Sequence, residues 1–227
     1  MGKHFKLEKD GGVAVLTFDR PEKRNPLNED SITELHDNLV ALRDDDDVRA
    51  LVLTGSGNTF SAGADMSHMK GVTDPAERQR LFSAVPARRL RVLRRTMELL
   101  TNHELPTVAA VNGYAVGGGW FLVLCCDLRI AVEGAEFWMP EIDLGVPGPR
   151  EPERRLREEV GVARTKEIIL TCRHFKSEEL YEWGLLNRVV KKHELMPAAM
   201  ELARYLASRK RTAMLQAKAQ INGFTLD

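Results

Sequence analysis

The stretch "AVNGYAVGGGWFLVLCCD", residues 110–127, decides the fold. The apolar run "TVAAVN" that leads into it (Thr107–Asn112) reads as a buried strand ending in an Asn-Gly turn. Three consecutive glycines, Gly117–Gly119, then meet the bulky pair Trp120 and Phe121, so a freely turning backbone passes directly into a helix of core residues. A glycine-rich turn feeding a helix presents free backbone N–H groups, aided by the helix dipole, and suits an anion or a developing oxyanion. A second such turn, "TGSGNTFSAGADM", follows the apolar strand "ALVLTG" from Ala50. For either turn taken alone, close packing or a residue needing φ > 0 explains the glycines equally well. Neither gives GxGxxG with an acid about twenty residues on in a βαβ unit, so a dinucleotide fingerprint is excluded.

Working outward, Phe5–Lys9 and Val13–Phe18 alternate apolar and polar residues around "DGG", the pattern of a hairpin. "NEDSITELHDNLVALR" places Ile32, Leu35, Leu39 and Leu42 at helical spacing, with acids at its start and arginine at its end as the helix dipole favours. Asp74 and Pro75 open a helical pattern reaching about Asn102. "DLRIAV" and "AEFWM" read as strands, "SEELYEWGLLNRVV" joins a Ser177-capped helix to a short strand, and Glu194 onward reads as helical. Strands alternating with helices give an α/β class with a mainly parallel sheet. The expected organisation is one main domain over residues 1–190, followed by a C-terminal helical region, residues 191–227.

Composition removes several function classes. The 227 residues hold 33 basic and 33 acidic side chains, so no net field draws in nucleic acid or an anionic membrane. Arg88, Arg89, Arg91, Arg94 and Arg95 crowd one helical segment, read as a solvated face with a nucleic-acid surface as the alternative. The uncharged run Leu105–Cys126 contains Pro106, Asn112 and four glycines, which argues against a membrane span. Cys125, Cys126 and Cys172 follow neither a zinc nor a redox spacing and read as reduced core residues. With no apolar leader in "MGKHFKLEKDGG", the expected location is the cytoplasm or an organelle matrix. No metal site is expected, since no His, Cys and acid cluster has ligand spacing.

Five further stretches carry a resemblance when taken in order. "TFSAGADM" (59–66), "AAVNGYAVGGG" (109–119), "CDLRIA" (126–131), "PEIDLG" (140–145) and "WGLLNRVV" (183–190) resemble the enoyl-CoA hydratase/isomerase, or crotonase, superfamily, and "RPEKRNPLN" (20–28) resembles its N-terminal signature. The resemblance spans nearly the whole chain and implies a crotonase-like spiral of ββα units with C-terminal helices. It also implies acyl-CoA thioesters as ligands, no cofactor beyond the coenzyme A of the substrate, and homotrimers or dimers of trimers. Two backbone N–H groups of the family bind the thioester oxygen, at the positions matching Ala64 and Gly118. Lys23 and Arg24 match the segment beside the adenine and phosphates of coenzyme A, Asp65 and Met66 match the adenine-side turn, and Ala62 and Phe121 are further expected substrate or coenzyme A contacts. The chain ends short of the terminal helical extension usual in the family.

The resemblance also marks a departure. The family's hydratases carry a glutamate at the place of Phe121 and a second at the place of Glu141, and only the second acid stands here. Adding water calls for one carboxylate as base and another group for the second proton. Moving a proton within an allylic system calls for one, and Glu141 alone suffices to take it from C2 of a 3-enoyl-CoA and return it at C4. Apolar neighbours, Phe121, Trp120 and Trp138 among them, would raise the pKa of Glu141 and discourage hydration if they face the site. The main expectation is therefore an enoyl-CoA isomerase. The alternative is a hydratase, decarboxylase or hydrolase, because "VPGPREPERRL" (146–156) replaces the family's Gly-rich turn and would let Arg150, or Glu151 as a second acid, enter the pocket. Asp143 is a further candidate for the catalytic carboxylate. A non-catalytic acyl-CoA- or RNA-binding scaffold is the reading from another class.

Overall fold

A computed structural model describes residues 3–74, 76, 77, 80, 81, 84, 87–145 and 150–224, apart from the side chains at positions 68, 87, 89, 150 and 151. Pro75, with which the long helical pattern was expected to open, lies outside the described residues.

The chain opens with the expected hairpin. Strands β1 (Phe5–Asp10) and β2 (Val13–Phe18) pair antiparallel from Asp10↔Val13 to Phe5↔Phe18. Its two-residue loop is Gly11 and Gly12 with φ of 57° and 81°, the conformation a tight hairpin needs and only glycine adopts without strain. Helix α1 (Glu29–Arg43) follows; Asn28 caps it, its Oδ1 accepting the Ser31 N–H at 2.8 Å while the Ser31 hydroxyl accepts the Asn28 N–H at 2.9 Å.

From there the architecture repeats. Strand β3 (Ala50–Gly55) passes through a turn into β4 (Thr59–Ser61); β5 (Thr107–Val111) does the same into β6 (Tyr114–Val116); β7 (Leu128–Val132) into β8 (Glu136–Trp138). The first strand of each couple joins a six-stranded sheet, order β1-β2-β3-β5-β7-β10, in which β2, β3, β5, β7 and β10 (Arg188–Val190) run parallel. The second joins a four-stranded sheet, order β4-β6-β8-β9, where β9 (Phe175–Lys176) is antiparallel to β8. Each couple leads on to a helix: α2 (Ala87–Thr101), α3 (Gly118–Cys125) and α4 (Arg150–Thr171), the last interrupted at Gly161 (φ 78°, ψ 170°). This is the expected spiral of ββα units. Strands β3 and β5 are buried almost throughout, which is why they read as unbroken apolar runs.

Helix α5 (Ser177–Glu182) departs from the sequence reading. Lys176, not Ser177, is its cap residue, and the buried Ser177 hydroxyl donates to Val132 O at 2.8 Å, so a sheet carbonyl takes the group expected to cap the helix. Helices α6 (Leu195–Ala207) and α7 (Arg211–Asn222) close the chain. Helix α6 packs across β2, β3, β5 and β7 with Leu195, Ala199 and Ala203 buried, and α7 is tied in by Lys218, whose Nζ donates to Asp127 Oδ2 at 2.8 Å and Leu105 O at 3.2 Å. No described helix is long and apolar enough to cross a membrane.

Candidate active site

The two glycine-rich turns converge because the strands before them pair. With β4 and β6 side by side (Thr59↔Tyr114, Ser61↔Ala115), the segments that leave them, 62–64 and 117–118, meet at one end of the small sheet. The contact is close enough to require glycine. At Gly63 (φ 74°) a Cβ would stand 2.5 Å from Val116 O and 3.5 Å from Gly118 N. At Gly119 it would stand 2.7 Å from Ser61 O, a backbone atom that cannot swing aside.

This geometry leaves two amides unspent. Leu27 bridges the chain on either side of Ala64, donating to Gly63 O at 2.7 Å and accepting from Asp65 N at 2.8 Å. Along extended backbone successive N–H groups face opposite edges, so the Ala64 N–H is turned away from Leu27. Gly118 is the first residue of α3, whose first internal bond is Phe121 N to Gly117 O at 2.9 Å, so its N–H is one of the orphan donors of a helix start. Neither amide has an acceptor among the described residues.

Glu141 supplies the acid. It follows β8 through Pro140 and begins a turn closed by Leu144 N to Pro140 O at 3.0 Å and Gly145 N to Ile142 O at 2.9 Å. Its Oε1 lies 2.7 Å from where a Cβ on Gly117 would stand, so the carboxyl rests against the glycine immediately before the Gly118 donor. Gly117 N donates to Trp138 O at 3.0 Å, which joins the amide-bearing turn to the strand that delivers the acid. Oε2 is buried and has no hydrogen-bond partner among the described residues. Burial pushes the Glu141 pKa up to about 7, opposed only by a contact with its own backbone amide. Loss of hydration destabilises the carboxylate, and no cation among the described side chains offsets it. Asp143, the competing candidate, is exposed.

The aromatic neighbours divide. Phe121, 2% exposed, lies three residues after Gly118 and so shares its face of α3, where a helical side chain leans over the preceding turn. Trp120 packs instead on Phe137 (5.5 Å between ring centres) and Phe175 (6.1 Å). Trp138 stacks on His174 at 4.1 Å and meets the exposed Tyr114 edge-on. These two have partners of their own because β8 alternates, Phe137 turning inward and Trp138 to the other face.

The residues expected on the coenzyme A side also come together. Lys23, the last residue of a 3-10 turn (Pro21–Lys23), and Arg24, which follows it, are exposed, and Arg24 O accepts from Ala62 N at 2.9 Å. The Asp65 carboxylate accepts from Ser67 N at 3.0 Å and stands 3.8 Å from Arg20 Nη1. Burial alone would raise its pKa, but the Ser67 hydroxyl and amide together with Arg20 and Lys23 hold it below the usual range. Met66, half-buried, precedes the 3-10 turn Ser67–Met69. The side chains of Arg150 and Glu151 lie outside the described residues.

Two residues that organise this region were not singled out from the sequence. Asn25, buried with φ 52°, accepts the Arg20 N–H at 2.9 Å and donates to Ser56 O at 3.1 Å and Thr59 O at 2.7 Å. The Ser61 hydroxyl donates to Asn25 O at 2.8 Å and accepts from Gly63 N at 3.2 Å, pinning the 63–64 turn to that loop. An Asn within "RPEKRNPLN" was the available signal, since Asn is enriched at φ > 0. Elsewhere, the arginine-rich α2 pairs with acids, Arg88 with Glu29 at 3.1 Å and Arg94 with Glu98 at 3.6 Å. Among the described residues no His, Cys, Asp and Glu side chains are grouped as a metal set.

The arrangement is a buried carboxyl, one oxygen of which has no partner among the described residues, beside two backbone donors that no carbonyl of the described residues occupies. The family model for enoyl-CoA hydratase/isomerase matches residues 8–225. The chain is 37% identical to a crotonyl-CoA hydratase of Syntrophomonas wolfei over 95% of its own length and 80% of the relative's. It is 38% identical to a short-chain-enoyl-CoA hydratase of Clostridium acetobutylicum over the same shares. The crystal structure of an enoyl-CoA hydratase from Bacillus anthracis superposes with a TM-score of 0.86 at 32% identity, covering 99% of this chain and 85% of that one. Sequence motifs, ββα spiral and these matches agree: the chain belongs to the enoyl-CoA hydratase/isomerase family.

Proposed function

We propose that this protein moves a proton on an enoyl-CoA thioester, converting a 3-enoyl-CoA to a 2-enoyl-CoA with Glu141 as the single proton carrier. The thioester oxygen accepts from the Ala64 and Gly118 N–H groups, which sets C2 beside the Glu141 carboxylate. Removal of a C2 proton puts negative charge on that oxygen, and the two fixed amides stabilise it as it develops. The same carboxyl then returns the proton at C4, and the double bond ends between C2 and C3. A carboxyl with a pKa of about 7 serves both halves, since it neither holds nor releases the proton strongly at neutral pH. The observation that carries the reading is the buried Glu141 Oε2, without a partner among the described residues, in a site where Phe121 offers no second proton carrier.

Hydration of a 2-enoyl-CoA is the second reading, favoured by the hydratase names of the relatives. It requires a second group to handle a proton, and Glu151, at the head of α4, is the residue that would supply it. Supplying purified protein with a 3-enoyl-CoA and, separately, a 2-enoyl-CoA distinguishes the two. Isomerase turnover that Glu141→Gln lowers by about a hundredfold or more supports the proposal, a loss within the range for general acid-base groups. Hydration as the dominant reaction, abolished by Glu151→Gln, replaces it with the second reading. Full isomerase rate in Glu141→Gln overturns it.

A further inference from the structure

The helix that carries the Gly118 donor is short and has no side-chain cap. Helix α3 runs eight residues, about 12 Å, with seven of them buried. Its final carbonyls therefore end inside the protein, where each needs a donor. Cys126 provides some, its N–H reaching Val123 O at 3.1 Å and its thiol Leu122 O at 3.5 Å. Arg155 adds one, its Nη1 donating to Leu124 O at 3.3 Å, and Arg129, in β7, holds two of these carbonyls at once. Its Nε donates to Val123 O at 3.1 Å, its Nη2 to Leu124 O at 2.8 Å and Glu159 Oε1 at 2.9 Å, and its Nη1 to Leu185 O at 3.2 Å and Glu159 Oε2. Those bonds use all five N–H donors that a guanidinium possesses. Glu159 sits on α4, the helix whose first residues follow the Glu141 turn, and Leu185 on the stretch after α5.

We propose that Arg129 is a positioning residue for the oxygen-binding amides: it sets where α3 lies along its own axis, and hence where the Gly118 N–H stands relative to Glu141. The inference rests on the reading of Ala64 and Gly118 as the thioester's donors. Gly117 and Gly118 have no side chains to hold the head of the helix, and what grips it there is the Gly117 N–H to Trp138 O bond. At the other end one planar group ties two carbonyls of α3 to α4 and to the chain beyond α5. Lysine keeps the charge but offers three donors from a single point, so it cannot reproduce the fork.

The test uses cinnamoyl-CoA, a conjugated thioester whose absorption moves to the red when its carbonyl is polarised, and an S-alkyl-CoA thioether, which lacks the carbonyl. Wild-type protein is expected to shift the cinnamoyl band. Arg129→Lys and Glu159→Gln are expected to lose about half of that shift or more and to lower kcat about tenfold to a hundredfold, with KM and thioether affinity held within about threefold. Glu159→Gln keeps the guanidinium and its three main-chain carbonyl partners, so it serves if Arg129→Lys does not fold. A full red shift and wild-type kcat per folded molecule in the variants overturns the role of Arg129 alone. No shift in the wild type overturns the donor reading, and the role of Arg129 falls with it.

Discussion

Replacing Glu141 by glutamine should make the protein more stable than the wild type as pH rises, and the size of the effect follows from the burial of one carboxyl. The Glu141 pKa stands at about 7 in the folded chain against an ordinary 4.5. A tenfold change in acidity corresponds to about 1.4 kcal/mol, so the gap amounts to about 3 kcal/mol. The sign follows from proton binding. Between pH 4.5 and 7 the native state holds a proton on Glu141 that the unfolded chain has released, so stability falls with pH over that window. The advantage is whole below pH 4.5 and is lost as pH passes 7. Glutamine does not titrate, and every other ionisable group is shared by the two proteins. Urea unfolding at intervals from pH 4.5 to 8.5 gives the difference directly. The expected result is a relative gain for Glu141→Gln that grows by up to about 3 kcal/mol and levels off above pH 8. A difference that stays flat across the range would refute the burial of that carboxyl and, with it, the source of its proton affinity. The residue that the proposed reaction needs is then one that the fold holds at a cost, the usual relation between stability and an active site.

Two further outcomes probe the frame around the carboxyl. Gly117→Ala adds a Cβ 2.7 Å from Glu141 Oε1 at a residue with φ 45°; the displaced acid is expected to lower turnover by about a hundredfold, the scale of a misplacement near 1 Å, measured as kcat on a 3-enoyl-CoA. Asn25→Ala removes the partner of Arg20 N, Ser56 O and Thr59 O and is expected to cost about 2–3 kcal/mol in urea unfolding, whereas loss below about 0.5 kcal/mol, the level of an ordinary surface change, would show that the loop holds without it.

Much of this molecule can be read from periodicity and punctuation. "DGG" between alternating runs defines the first hairpin, Ile32, Leu35, Leu39 and Leu42 define the buried face of α1, and the apolar runs around Val52 and Val108 mark central parallel strands. The two glycine turns announce themselves as donor-bearing, but that they lie against each other depends on β4 pairing with β6, a contact between residues more than fifty positions apart. The orientation of the tryptophans was hidden for the same reason: Trp120 and Trp138 are near Phe121 and Glu141 in sequence, and strand alternation and helix phase send them elsewhere. Ser177 precedes two acids and reads as a cap, yet a buried carbonyl of Val132 competes for its hydroxyl and wins. Arg129 carried a signal of its own, a charge inside the apolar run "DLRIAV", because a guanidinium in a buried strand must find partners for its donors.

The pairing of β4 with β6 has an evolutionary consequence. Neighbouring strands are held about 4.8 Å apart by main-chain bonding, and the amides of Ala64 and Gly118 descend from two such neighbours. The spacing of the strands that deliver them is thus metered by main-chain bonding, whereas the setting of α3 along its axis, which places the Gly118 N–H within that frame, answers to side chains. On the proposed reading of those amides as the thioester's donors, mutation can exchange, delete or relocate carboxylates around them without breaking the main-chain bonds of the frame, so that one pair of donors can serve different reactions.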